Sequence, residues 1–425
     1  MTSATTTTTI TPPASLFSTA PYIPSDAIFA LTAEYNADPS PAKVNLGQGT
    51  YRDNNGLPWV LPSVQEARRI INKNGLLHEH LPILGLKGLR DGAARLIFGE
   101  GYAAIAEKLA TSQTISGTGS LHLAGALIKY CTRKAKDSDA DAVRKAYIPS
   151  PTWANHHLLF SSLGFKVIQF DYYNSAAQSL DLDSYLSTLR SADPGSVVVL
   201  HACAHNPTGL DPSTEQWEEI GGIIKARRLF PVFDAAYLGF NSGDYDKDAW
   251  AIRYFVIELE VECAVCLSFA KNMGLYGERV GALIIFTTDP VAARNTRSVL
   301  ESLQRSEISN PPAFGAKIAE TILSNDRLRG IWFEDLKTMS GRIAEMRRAL
   351  FEGLNRYSPG RNWDHLVRQS GMFGFLGLER EVVRVLKDEY HIYMAENSRV
   401  SIAGLNTANV EYVARSIGEV LSRGQ

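Results

Sequence analysis

The chain has 425 residues, 45% of them hydrophobic, with 43 basic and 45 acidic side chains and a formal net charge of −2. That length buries a large core, with more than one lobe expected. The balanced charge argues against a nucleic-acid or membrane-surface binder, and no apolar run approaches the roughly 18 residues of a spanning helix.

In chain order, "MTSATTTTTITPPASLFSTAPYIP" comes first, rich in Thr, Ser and Pro and without a basic residue. Secretory and mitochondrial leaders carry positive charge, so residues 1–22 read as a disordered tail of a cytoplasmic protein. From about residue 110 to 290, apolar β-rich runs alternate with amphipathic stretches: "RKAYIPS", "FKVIQFDYY", "SVVVLHA", "FPVFDAAY", "CAVCLSFA" and "GALIIF". This alternation predicts an α/β fold with a mainly parallel sheet wrapped by helices. Between the strands, "PSTEQWEEIGGIIKARRL" has Ser213 and, three residues on, Gln216, a capping-box pattern ahead of a helical period. Residues 339–353, "MSGRIAEMRRALFEG", read as a helix entering a second lobe, and "GMFGFLGL" and "IYMAENSRVSIAGL" as short strands of a smaller α+β unit. The expected division is a large domain over 58–338 and a small one from 23–57 and 339–425.

Four cysteines, Cys131, Cys203, Cys263 and Cys266, suit a reducing compartment. Cys263 and Cys266 form a C-x-x-C, but no second one exists and "CAVCLSF" reads more simply as a buried strand.

Ligands of open α/β sheets sit outside the carboxyl ends of the strands. There "ISGTGSLHLAGALIKYC" gives a Gly-rich turn into a helix, where Ser116, Gly117 and Thr118 offer N–H groups and hydroxyls to an anion, although such turns are common. "SPTWANHH" adds Trp153, a flat ring that could stack on a planar ligand but that in isolation reads better as core. "HACAHNPTG" supplies His201, His205 and Asn206; zinc would need a third ligand, so orientation by hydrogen bonds is the better reading. "FPVFDAAYLGF" carries Asp234 and Tyr237, and a carboxylate at the end of an apolar strand needs a positive partner. Ser268, Lys271 and Arg279 follow in "LSFAKNMGLYGERVGALIIF". The set suggests pyridoxal phosphate, whose aldehyde needs an amine, its ring nitrogen a carboxylate, its phenolate oxygen donors, and its phosphate a helix N-terminus with a cation.

"HACAHNPTG", "FDAAYLGF", "SFAKNMGLYGERVG", "SNPPAFGA" and "SRVSIAGL" closely resemble the aspartate aminotransferases of the class I pyridoxal-phosphate-dependent aminotransferase family, a likeness running from "VNLGQGTYRD" to "IGEV". The resemblance implies a fold-type I transferase. It implies Lys271 as the amine that bonds the cofactor and later moves a proton, and Asp234 as the partner of its ring nitrogen, supported by His156 and His201. Tyr237 and Asn206 would hold the phenolate oxygen, and Trp153 would stack on the ring. Arg279, Ser268, Ser116, Gly117 and Thr118 would hold the phosphate, with His80 reaching the phosphate of a neighbouring subunit. Arg399 would clamp the substrate α-carboxylate, beside Gly49, Trp153 and Asn206. Arg305 would reach from the second subunit to the distal carboxylate, so a homodimer with shared sites is implied.

Several positions, clustered around the substrate and phosphate, depart from the family pattern: His80 for a tyrosine, Gln48 and Thr50 for small apolar residues beside the substrate, Ala270 for a serine next to the lysine, and Glu307 and Ile308 for a short polar and an aromatic residue, with Gln48 and Glu307 expected to face the substrate. If the extended geometry before Pro311 reached back through "RSEIS", Glu307 would lie beside Arg305 and compete with a substrate carboxylate. The leading reading is ping-pong amino transfer between an acidic amino acid, aspartate, and a 2-oxo acid, 2-oxoglutarate. The alternatives are a lyase, racemase or C–C bond-forming enzyme with the same cofactor, and a non-catalytic binding relative, against which the intact Lys271, Asp234, Tyr237, Arg279 and Arg399 argue.

Overall fold

The structure, a computed structural model, describes residues 15–75, 77–133 and 144–423. Seven strands form its central sheet: β1 (Leu109–Ile115), β2 (Lys145–Ser150), β3 (Lys166–Asp171), β4 (Val197–His201), β5 (Phe230–Ala235), β6 (Cys263–Ser268) and β7 (Val280–Phe286). Their spatial order is β1-β7-β6-β5-β4-β2-β3. Pairing is parallel throughout except at β7, which runs antiparallel to both β1 and β6. The mainly parallel sheet is therefore present, with one reversed strand.

The interior strands β4, β6 and β7 are buried on both faces because helices cover both, while the edge strand β3 is largely exposed. Along β6, Cys263, Val265 and Leu267 enter one core and Ala264 and Cys266 the other. The two cysteines of the C-x-x-C thus lie on opposite faces of the sheet, as an odd spacing in a strand requires, and both are free and buried. On the helical side, α1 (Ser116–Arg133) follows β1 directly, α2 (Asn155–Ser162) follows β2, and α3 (Thr214–Arg227) starts at the expected Ser213–Gln216 capping box. Then come α4 (Pro290–Glu307) and α5 (Asp326–Tyr357).

The 32-residue α5 contains all of 339–353 but begins well before it, where the Asn325 side chain accepts from the Leu328 N–H. A boundary at 338/339 therefore falls inside a continuous helix. Beyond it, strand Phe373–Phe375 pairs antiparallel with Arg399–Ser401, and Val44–Asn45 pairs with Ile392–Tyr393, so the N-terminal piece shares a ladder with the C-terminal one. Of the expected tail, residues 1–14 lie outside the described residues, and 15–20 form turns with Ser18 N–H on Ser15 O and Ala20 N–H on Phe17 O.

Candidate active site

Three strand ends bring the chemistry together. At the end of β1 the chain turns straight into α1, and Ser116 adopts a left-handed φ of 58°. Across the ladder Arg279, leading into β7, does the same at 54°, and the Ser116 N–H donates to its carbonyl at 3.2 Å. Left-handed backbone at two non-glycine residues is strained and persists where surrounding structure enforces it. A Cβ on Gly281 would stand 2.5 Å from Leu267 O and 2.7 Å from the Ser116 carbonyl carbon, so only glycine lets β7 approach this closely. Ser116 Oγ lies 2.9 Å from Ser268 Oγ, which also accepts from the Ala270 N–H at 3.2 Å. Gly117 and Thr118 head the helix, where N–H groups lack intrahelical acceptors. Arg279 Nη1 donates to Tyr276 O, leaving its remaining N–H groups for a ligand.

Lys271 sits in the loop after β6. That loop is pinned from two sides: Trp332 of α5 donates to Asn272 O at 2.6 Å, and Asn272 Nδ2 donates to Leu238 O at 3.1 Å. Burial, and then the nearby positive charge of Arg279, pushes the Lys271 ammonium down to about 8; Asp234 pulls the other way and Arg399 adds to the lowering. Its Nζ lies 5.0 Å from the centre of the Tyr276 ring.

Asp234, on β5, anchors a chain of hydrogen bonds. His156 Nε2 donates to its Oδ2 at 2.9 Å. Thr152 Oγ1 is 2.9 Å from His156 Nδ1 and 2.9 Å from His201 Nε2. The Asn206 N–H points at His201 Nδ1 at 3.5 Å. Burial holds His201 uncharged, far below its usual range, so its Nδ1 accepts, its Nε2–H donates to Thr152, and the threonine proton goes to His156. Burial opposes the charge on Asp234, but the hydrogen bonds from His156 and from the Ala236 N–H hold its carboxyl below the usual value. The His201 side chain therefore reaches the Asp234 carboxylate through Thr152 and then His156, and not directly. The Trp153 ring stands edge-on to His156, 5.3 Å between centroids. Tyr237 is buried, and burial together with Asp234 raises its hydroxyl above the ordinary tyrosine range.

Arg399 begins the short strand Arg399–Ser401. Its Nη2 donates to Gly47 O at 2.7 Å and its guanidinium lies 4.4 Å from the Phe373 ring centre, while Nε is buried without a partner. A Cβ on Gly49 would be 2.9 Å from Phe373 Cζ.

His80 is exposed, in a surface cavity of about 500 Å3 with Leu77 and Phe314. Arg305 is exposed and bonds Ser309 Oγ. The expected pairing of Glu307 with Arg305 does not occur. Helix α4 continues through Glu307, so residues two apart point to nearly opposite sides. The constraint before Pro311 stops short of them. Glu307 Oε2 lies instead 3.3 Å from His122 Nδ1. Glu307, Ile308, His122, Thr118 and Arg279 share a cavity of about 810 Å3. Gln48 and Thr50 line a different one. Thr152 and Tyr276 were not singled out in the sequence, since a hydroxyl bridging two histidines leaves no spacing signal; Tyr276 was at least within the quoted Lys271 motif.

The donor set fits pyridoxal phosphate. A buried anion, Asp234, has a histidine but no Lys or Arg contact among the described residues, which suits a protonated ring nitrogen. A helix N-terminus, two serines and a cation suit a phosphate, and a lysine poised near neutrality suits bonding to an aldehyde. Fold and site together define a pyridoxal-phosphate-dependent enzyme of the fold-type I class. The sequence pattern of the family "Aminotransferase class I and II" matches residues 41–417. The chain is 43% identical over 416 residues to the cytoplasmic aspartate aminotransferase of Saccharomyces cerevisiae, covering 96% of this chain and 97% of that one. The solved structure of the Saccharomyces cerevisiae cytoplasmic enzyme superposes with a TM-score of 0.91 at 42% identity, over 96% of this chain and 99% of that one. An aromatic-amino-acid aminotransferase from Burkholderia pseudomallei, covalently bound to pyridoxal phosphate, gives 0.91 at 36% identity, over 96% and 100%. The protein belongs to the class I and II aminotransferases and is a pyridoxal-phosphate-dependent aminotransferase.

Proposed function

We propose that the protein moves the amino group of aspartate to 2-oxoglutarate in a ping-pong cycle, as a cytoplasmic homodimer. The observation that carries this reading is that the buried Lys271 feels the charges of both Asp234 and Arg399, in a chain whose curated relatives are named aspartate aminotransferases. When bound, the cofactor supplies an electron sink for the bond that breaks at the substrate Cα. Arg399 grips the α-carboxylate with the guanidinium edge whose Nε has no protein partner, beside Gly49 and Asn206. Lys271 would hold the cofactor aldehyde and, as a free amine, would carry the proton lost from the substrate Cα, a task suited to an amine held near neutral pH. Asp234, kept anionic by the His156–Thr152–His201 chain, holds the proton on the ring nitrogen. Tyr237 and Asn206 would donate to the phenolate oxygen, Trp153 would cover the ring, and Ser116, Gly117, Thr118, Ser268 and Arg279 would hold the phosphate.

Arg305 and His80 serve the second subunit's site in this reading. Both are exposed in the single chain. So are Leu16, Phe17, Tyr22, Ile23 and Phe29, each at least 75% exposed, an apolar run that a second copy would cover. Because Glu307 is held by His122, it does not compete for the distal carboxylate, which favours dicarboxylic substrates. The large domain of 58–338 and small domain of 23–57 with 339–425 are proposed to close over the substrate. Adding aspartate to the cofactor-loaded enzyme should convert the visible cofactor band to that of the amino form, and 2-oxoglutarate should restore it. No conversion by aspartate or glutamate, with conversion by another amine, would overturn the substrate assignment.

A further inference from the structure

A second cavity, of about 680 Å3, lies behind the segment that holds Arg399. Lys43, Gln48, Thr50, Arg52, Asn55 and Asn406 provide its polar walls, and among the described residues no Asp or Glu lines it. Residues alternate along this segment. Gln48, Thr50 and Arg52 line the cavity, while Gly47 accepts from Arg399 and Gly49 abuts Phe373. Gln48 and Thr50 therefore add hydrogen-bonding groups to the cavity wall.

The cations here are under-used. Arg52 is half-buried, and the hydrogen bond it makes is a marginal one of 3.5 Å from Nη2 to Gln48 Oε1. Lys43 Nζ donates to the carbonyls of Tyr35 and Asp38 at the end of helix Ala27–Ala37, leaving a third proton. A fork-shaped cation with a weak neutral partner, a nearby ammonium and surrounding amides is a recognition set for a phosphate or carboxylate group. The site is also wired to the catalytic one. The charge of Arg52 is felt at Tyr276, whose Oη accepts from the Tyr51 N–H at 2.9 Å and whose ring faces Lys271.

We propose that this cavity is a second anion site, distinct from the cofactor's phosphate cup, that takes a small phosphate- or carboxylate-bearing metabolite. Its occupancy is transmitted along residues 47–52 to Arg399 and, through Tyr276, to Lys271. Equilibrium dialysis of the cofactor-loaded full chain with labelled inorganic phosphate, and separately with labelled citrate, tests binding without relying on transamination. The expected result is a single saturable site per chain for at least one probe, retained in Arg399→Ala and weakened about tenfold or more in Arg52→Gln and in Asn55→Asp, whose new carboxylate repels the anion at an exposed position. Whichever probe binds tighter identifies the ligand class. Binding lost in Arg399→Ala but kept in Arg52→Gln and Asn55→Asp would assign the anion to the substrate site and overturn the proposal, as would no saturable binding of either. The coupling is tested by the turnover number at saturating substrate, which should change with the bound probe in the native enzyme and not in Asn55→Asp; equal response in both would overturn it.

Discussion

At Lys271 a single side chain is set by its surroundings. An exposed lysine amine is almost wholly protonated at neutral pH, but burial and two arginines bring this one down to about 8. The free amine is the form that attacks an aldehyde, so the rate at which cofactor-free protein binds added pyridoxal phosphate is expected to rise with pH through about 8 and level off above it. A midpoint near 10.5, the ordinary lysine value, would contradict the burial argument. Lys271→Ala should lose turnover while keeping its circular dichroism and melting temperature; retained transamination would remove the lysine from its role. Asp234→Ala acts differently, since the phosphate anchors stay. Its turnover number should fall by roughly 10²-fold or more, with cofactor occupancy, read from absorbance, changing far less. Equal loss of both would make Asp234 a structural residue. The lysine and the aspartate were legible in the sequence because each is a charged residue at the end of an apolar run. Thr152 was not, because its importance lies in His201, from another strand end, meeting the nearby His156 at its hydroxyl.

At the scale of elements, the end of α4 shows how a local rule can mislead. Proline restricts only its immediate neighbour, and the helix persists through Glu307, with Ser309 then taking a left-handed φ of 67° before Pro311. The consequence is a tie between α4 and α1, with Glu307 bonding His122. That bond raises the imidazole above its usual value, against the effect of burial. A raised folded value means that the tie stabilises the protein fully below the unfolded value of 6.5 and is lost as pH climbs through the folded one. In Glu307→Gln the His122 resonance, followed by NMR, should titrate at lower pH than in the native protein. An unchanged midpoint would mean that the two groups do not pair in solution. Helix α5 makes the complementary point: its amphipathic period was readable, but its reach back to Trp332, which fixes the Lys271 loop, is a tertiary fact.

For the whole molecule, the proposed dimer gives the sharpest test. Protomers carrying Lys271→Ala lack the amine of their own site, and protomers carrying Arg305→Ala lack the group offered to their neighbour's. Each variant alone should be nearly inactive on aspartate. If they are unfolded, mixed equally and refolded, half of the dimers are hybrids with one intact site, and activity should recover to about a quarter of the native value. No recovery, with dimers confirmed by sedimentation, would place Arg305 in its own protomer's site, and full activity of Arg305→Ala alone would place it outside catalysis.

The sequence by itself determined the alternating strand–helix order, the Ser213 cap and the charged residues at strand ends, because these follow from local periodicity and from the cost of burying an unpaired charge. The motifs around Lys271, Asp234 and Arg399 also disclosed the family. Only the tertiary structure decided that β7 runs against its neighbours, that the His201 side chain reaches the Asp234 carboxylate through Thr152 and His156, that Glu307 faces His122, and that Gln48, Thr50 and Arg52 wall a second cavity. These depend on which side of an element a residue faces and on which distant segment packs there, and no single stretch of chain encodes either.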